Sequence, residues 1–491
     1  MREIGIIDVT LRDGNQSMWG ATGITNPMVE DVSPMVARGN YHAIEFITST
    51  HMAMSVRFHR EDPWERIRRA AVAIPDTPLG LLTSGLRFIT WDRTPAEVMR
   101  LAFRTLMKNG IRRFWALDPL NNMDAVREIA AMIKSEGDAE VVAGLVYTVS
   151  PVHTDQHYAE KADALGAMDQ VDGVYLKDVG GLLTPERVQT LVPIVKSRIG
   201  DRLLELHAHC NTGLAPLCCV EGARLGVDVI HTACAPLGNG SSLPAAESTV
   251  GNLRNAGFEV GVDDAALAEY AAYFRRVAEL RGLPVGAPAE YDVAYYRHQV
   301  PGGMMGTLRR QLGEMGMTER LPEVLAEVEQ VRRELGYPIM VTPFSQFVGA
   351  QSVLNVVTGE RYGQVPNEVV HYARGTYGEP PAPIDPDVLD RIHSSPAAEA
   401  LDPDRREPTL EELRARFESG ISDEDLLLRI AMPREQVDAM VERRSSVVRV
   451  PRNSAARPII DLLEGLDRRR DVSFVKIERP GFALTLDRYD R

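Results

Sequence analysis

Over the first 260 residues, short apolar runs alternate with longer helical patterns. Eight runs stand out, at 4–11, 43–48, 79–83, 113–118, 141–148, 173–178, 203–209 and 227–234. Each is rich in Val, Ile, Leu or aromatic residues and short enough for a buried strand. Amphipathic stretches such as 95–108 and 185–197 lie between them. Alternating strands and helices predict a parallel sheet covered by helices. Eight units of about 30 residues predict closure into a (β/α)8 TIM barrel of roughly 250 residues. A doubly wound open sheet is the alternative; the repeat count favours the barrel.

The pattern changes beyond this α/β region, which we take as residues 1–288. Residues 289–400 predict a mostly helical second domain, its helices broken by Pro301-Gly302-Gly303 and by Pro380-Pro381-Ala382-Pro383. A helical extension follows at 401–445. It is interrupted at Ser419-Gly420-Ile421-Ser422-Asp423, where Gly420 is suited to end one helix and Ser422 to cap the next. The tail, 446–491, opens with a linker containing Arg and Pro. It then predicts a short helix at 459–466 and strands at 472–477 and 482–486, joined by a hairpin turn through Glu478-Arg479-Pro480-Gly481. There is no repeat beyond the barrel units and no low-complexity segment.

Composition narrows the function. The 491 residues are 44% hydrophobic and 25% charged, as in an ordinary soluble protein of two or three domains. A net charge of -14 argues against nucleic acid as a partner, because phosphate binding favours a basic face. No run is long and apolar enough to span a bilayer. The opening residues enter a strand-like segment directly, without the regions of a signal peptide, so a cytoplasmic location is expected. Cys210, Cys218, Cys219 and Cys234 lack zinc-finger spacing and fit reduced thiols.

In a barrel of this type, functional groups gather where strands end at the C-terminal face. After the first strand, 8–16 offers Arg12, Asp13 and Gln16 within five residues; the plain alternative is a polar surface loop. His207 and His209 end the seventh strand. Residues two apart on a strand face one side, so both imidazoles can reach one ion. Two partly buried histidines without a metal are the alternative, and the strand-end position favours the ion. Lys177 ends the sixth strand, where a salt bridge to Asp178 would be usual. An ammonium is a poor ligand, whereas CO2 added to the amine gives an anionic carbamate with oxygen donors. Just past the eighth strand, 236–244 supplies Ser241 and Ser242 on what otherwise reads as a Gly/Ser turn.

Together these segments resemble the carboxyltransferase component of pyruvate carboxylase, the α subunit of oxaloacetate decarboxylase and the keto-acid subunit of transcarboxylase. The likeness covers roughly residues 1–400, more weakly to about 440. It includes 8–16, 61–66, 175–181, 207–213, 298–303, 341–346 and 377–381. The resemblance implies a divalent metal, with zinc, manganese and cobalt all suitable. Asp13, carbamylated Lys177, His207 and His209 match the family's ligands. Related aldol and Claisen-type enzymes lack a lysine matching Lys177, which therefore favours carboxyl transfer. A biotin-independent lyase or synthase on the same barrel is the alternative, and a scaffold that has lost activity is a third.

The implied reaction moves a carboxyl group between biotin and a small keto acid or related enolisable acceptor, or runs in reverse as a decarboxylation. A hydroxyl relays a proton, the metal and Arg12 stabilise the enolate, and Gln16 binds the substrate carbonyl. Thr83 aligns with the family's carboxylate-gripping arginine, and Arg87 lies nearby in a different register. Ser241 aligns with the proton-relaying threonine, with Ser242 one step on. Both departures point to a substrate other than pyruvate. Cys210 replaces an aspartate beside the second histidine, a change expected to bear on hydrogen bonding around the metal. There is no Met-Lys-Met biotinylation motif, so biotin is expected on a separate carrier protein, with a biotin carboxylase subunit as a further partner. The family implies a homodimer. The tail either docks the carrier or packs on its own chain.

Overall fold

A computed structural model describes residues 1–90, 93–400, 407–446, 474–479 and 482–487. Eight strands form a closed parallel barrel: β1 (Gly5–Asp8), β2 (Ala43–Thr48), β3 (Leu79–Ser84), β4 (Arg113–Leu117), β5 (Glu140–Val146), β6 (Gly173–Asp178), β7 (Leu203–Ala208) and β8 (Val229–Thr232). β8 closes on β1 through the register Gly5↔Val229 to Asp8↔Thr232. That pairing excludes the open sheet. β1 ends sooner than its apolar run because Thr10–Gly14 winds into a wide helical turn that continues as the helix Asn15–Trp19.

The outer helices follow from spacing and capping. In Ala96–Lys108, Val98, Leu101, Ala102, Thr105 and Leu106 recur at helical intervals and are buried. Each large apolar side chain so buried contributes about 1.5–3 kcal/mol. Pro185 opens Pro185–Lys196, where Thr184 accepts a hydrogen bond of 3.0 Å from the Arg187 N–H.

The lumen differs from the apolar filling that the strand pattern leads one to expect. Arg113 and Trp115 from β4, Tyr175 from β6, Glu205 and His207 from β7, His231 from β8 and Glu45 from β2 are all buried. Ion pairs, hydrogen bonds or ring contacts link them to one another. Gly80 of β3 makes room for Trp115, because a Cβ there would overlap the indole.

The helices from Gly302–Glu314 to Pro396–Ala400 place their apolar residues in one cluster with lumen and mouth residues. Leu308, Leu312, Val328, Phe344 and Val348 join Val9, Leu117, Leu120 and Val146. This region therefore covers the C-terminal mouth. Pro301-Gly302-Gly303 begins the helix Gly302–Glu314, with Pro301 just before it. Gly302 is required there, since a Cβ would overlap Ser241.

Further on, Ser422 caps Asp423–Ala431 as expected. Gly420 does not end a helix: Leu410–Arg414 stops earlier, and Gly420 lies in the intervening turn at φ 91°. Leu426, Leu427, Leu428, Val437 and Met440 join the core between strands and outer helices, and Trp64 Nε1 donates to the Glu424 carbonyl at 3.2 Å.

Met1–Val441 forms one compact unit and Glu442–Arg491 a second. In the second, β9 (Phe474–Arg479) pairs antiparallel with β10 (Phe482–Asp487), beginning at Arg479↔Phe482. Glu478 and Arg479, expected in the turn, belong to β9; residues 480 and 481 and the expected helix at 459–466 lie outside the described residues. Among the described residues, no helix is long and apolar enough to cross a membrane. The four cysteines are buried and carry free thiols.

Candidate metal centre and active site

The register between β6 and β7 pairs Lys177 with His207, so side chains thirty residues apart meet on one face. Strand alternation adds His209 to that face. The turn after β1 brings in Asp13. Its Oδ2 lies 3.2 Å from His207 Nε2 and 3.5 Å from His209 Nε2. The two Nε2 atoms are 3.3 Å apart, and Lys177 Nζ is 3.0 Å from His207 Nε2. All four side chains are buried.

The donor chemistry fits a divalent ion. His209 Nδ1 lies 2.8 Å from the Ser241 carbonyl, which only accepts, so Nδ1 carries the proton and Nε2 presents a lone pair. Asp13, His207 and His209 each offer one ligand atom, all within 4.8 Å of one another. Burial disfavours charge on Asp13, but Arg12 and His209 hold its carboxyl well below the usual range. Arg12 Nη1 lies 2.5 Å from Asp13 Oδ2, and Nη2 is bonded to Glu45. Burial and neighbouring Arg12 pull the Lys177 ammonium down to about 8, toward the neutral amine that adds CO2. Asp178 is not its partner; that carboxylate accepts from the Leu182 and Leu183 N–H groups at 2.9 and 2.7 Å.

A cavity of about 380 Å³ opens above this group, within the range of small-molecule sites. Arg12, Asp13, Gln16, Lys177, His209 and Ser241 line it, while His207 lies beneath them. Ser241 Oγ donates to the Ser17 carbonyl at 2.9 Å. Two expected substrate contacts do not reach the cavity. Thr83 is buried outside it: Leu82 and Ser84 line the wall on the lumen face that Gly80 shares, and Thr83 takes the opposite face. Ser242 is fully buried behind Ser241, its carbonyl accepting from the Cys210 N–H at 2.8 Å. Cys210 belongs to the apolar layer outside the barrel, and burial pushes its thiol up to about 12.

Sequence reasoning missed Glu45 and the cavity-lining Ser84 and Ser345. It named Arg87 as a nearby substitute for the family's carboxylate-gripping arginine, though in a different register. A charge inside Ala43-Ile44-Glu45-Phe46-Ile47 was the available signal for Glu45. Arg87 lines the cavity with its guanidinium 4.9 Å from the Tyr377 ring centre. It makes no ion pair among the described residues, and burial lowers its pKa. The Ser84 and Ser345 hydroxyls, on residues that also line the cavity, are buried without a hydrogen-bond partner among the described residues.

A cavity at a TIM-barrel mouth, floored by donors suited to a divalent ion, is the architecture of a barrel enzyme. Residues 295–473 match the family described as a conserved carboxylase domain. A pyruvate carboxylase subunit of Methanocaldococcus jannaschii is 37% identical over 392 residues, covering 79% of this chain and 68% of that protein. The 2-oxoglutarate carboxylase large subunit of Hydrogenobacter thermophilus is 32% identical over 454 residues, covering 90% and 69%. The carboxyl transferase domain of Rhizobium etli pyruvate carboxylase superposes with a TM-score of 0.81 at 22% identity, over 91% of this chain and 78% of that one, a likeness of fold. The chain belongs to the family of biotin-dependent carboxyltransferase subunits that includes this archaeal pyruvate carboxylase component. It is a biotin-dependent carboxyltransferase, as the resemblance implied.

Proposed function

We propose that this subunit transfers a carboxyl group between biotin on a separate carrier protein and a 2-oxo acid, using a divalent ion held by Asp13, carbamylated Lys177, His207 and His209. The convergence of those four side chains beneath one cavity carries this reading. When bound, the ion supplies a Lewis acid beside the acceptor carbonyl. Arg12 lies against Asp13 and is held in place by that residue and Glu45, so its charge would meet a developing enolate without reorganisation. Gln16 faces the cavity as a donor to the carbonyl oxygen. Ser241 Oγ turns from the Ser17 carbonyl to pass the proton lost by the carbon being carboxylated to the biotin nitrogen that gives up its carboxyl group. Arg87, with the Ser84 and Ser345 hydroxyls, holds the acceptor's carboxylate, the role of the family arginine that aligns with Thr83.

Partner subunits supply and load the carrier, including a biotin carboxylase subunit. The working assembly is a homodimer in the cytoplasm. Zinc, manganese and cobalt all suit the donors. The test is carboxyl exchange between loaded carrier and a panel of 2-oxo acids, alongside metal analysis and native mass spectrometry. Exchange with a 2-oxo acid, a divalent ion and the mass of one added CO2 are expected. A metal-bearing protein with unmodified Lys177 and no exchange would favour the biotin-independent lyase.

A further inference from the structure

We infer that His231 and Glu205 are positioning residues for the metal: a hydrogen-bonded chain Arg113–Glu205–His231–His207 through the lumen places the proton on His207 Nδ1 and so presents the Nε2 lone pair to the ion. The inference rests on the metal reading above and extends it to residues that touch neither ion nor substrate.

The chain begins with Arg113, whose guanidinium pairs with Glu205 Oε1. Trp115 Nε1 donates to Glu205 Oε2 at 2.7 Å. Glu205 is thus a carboxylate and only accepts. His231 Nε2 lies 2.9 Å from Oε2, so Nε2 carries the proton of that ring. A neutral imidazole protonated at Nε2 has its lone pair at Nδ1. His231 Nδ1 lies 3.1 Å from His207 Nδ1, a spacing that requires one proton between the two nitrogens. His207 supplies it, which leaves His207 Nε2 bare. That atom faces Asp13 Oδ2 at 3.2 Å and His209 Nε2 at 3.3 Å.

Strand geometry builds this chain. β7 and β8 pair Leu206 with Ile230, so residue 231 stands beside residue 207. The two rings meet edge to face at 5.0 Å. Tyr175 stacks on His231 at 6.0 Å and 9°, and Trp115 packs against it at 5.8 Å, which together fix the imidazole plane. Glu45 Oε2 lies 3.7 and 3.9 Å from the facing Nδ1 atoms of His231 and His207, beyond hydrogen-bond reach.

The test compares metal affinity of the full chain by chelator competition, with the visible spectrum of the cobalt-loaded protein as a second readout. His231→Phe keeps a stacking ring and removes both nitrogens. Glu205 retains Arg113 and Trp115 in that variant. We expect His231→Phe to weaken binding by about 10–100-fold and to alter the cobalt spectrum. His231→Gln keeps one donor and one acceptor and is expected to recover most of the affinity. Should His231→Phe be insoluble, His231→Met set against His231→Gln makes the same comparison. Wild-type affinity and spectrum in the variant without donor or acceptor would overturn the inference. A wild-type chain that binds no divalent ion would instead overturn the metal reading, and the positioning role with it.

Discussion

Arg87 and Ser241 have the roles most open to single substitutions. Arg87→Met is expected to raise KM for the 2-oxo acid about 10–100-fold, the loss of a charged hydrogen bond of about 1.5–3 kcal/mol, with kcat changed much less. Steady-state kinetics would check this, and an unchanged KM would remove Arg87 from the carboxylate role. Ser241→Ala is expected to lower kcat about 10²–10⁴-fold while metal content stays the same. Thr83→Val serves as the control, because Thr83 is buried away from the cavity. Its KM should stay within about twofold. Asp13, Lys177, His207 and His209 were legible in the sequence because each stands at or just past the end of an apolar run. The contrast between Thr83 and Ser84 was not legible. Facing alternates at every strand residue, so an alignment displaced by one position selects the wrong side.

Elements position these residues, and one glycine shows how tightly. Gly302 starts the helix Gly302–Glu314 against Ser241 and Asn211. Gly302→Ala must displace that helix or the serine loop. A stability loss of about 1–3 kcal/mol is expected, with a fall in kcat/KM. Denaturant melts and kinetics would register both; an unchanged enzyme would mean that the mouth accommodates the methyl group freely. The strand runs were readable because residues of parallel strands are buried on both faces. Their ends were less so, since Thr10–Gly14 continues the apolar run of β1 while leaving the ladder. Gly420 had the composition of a helix end but belongs to a turn, because Leu410–Arg414 is short.

At the scale of the whole molecule, the charged lumen makes stability depend on pH. Burial opposes ionisation of Glu205, but Arg113 and His231 more than offset it and hold its carboxyl at about 2, below the ordinary 4.5. Glu45 is lowered too: burial opposes its charge, and Arg12 outweighs that effect. For a depressed carboxyl, the stabilisation is present above 4.5 and is lost as pH falls toward 2. Burial raises Asp8 to about 7 and Asp178 to about 6, so their protonation should keep the melting temperature level or lift it between pH 7 and about 5; below that it should drop as Glu205 and Glu45 protonate. Glu205→Gln should cost about 1–3 kcal/mol at neutral pH by taking the charged partner from Arg113 Nη2, while Nη1 keeps its pairing with Glu140 at 2.7 Å. Its further loss in acid should be smaller than that of the wild type. Thermal melts across this range decide the point, and identical slopes in both proteins would contradict it.

The sequence by itself determined the barrel, the helical region after it and the candidate ligands, because periodicity and strand-end position are local properties of the chain. Tertiary structure decided what rests on register between distant strands. It set Lys177 beside His207, placed His231 against His207, turned Thr83 from the cavity and brought Arg87 to its wall. Those choices depend on hydrogen-bond pairing across the barrel and on side-chain packing in its lumen. Neither is encoded in any one segment.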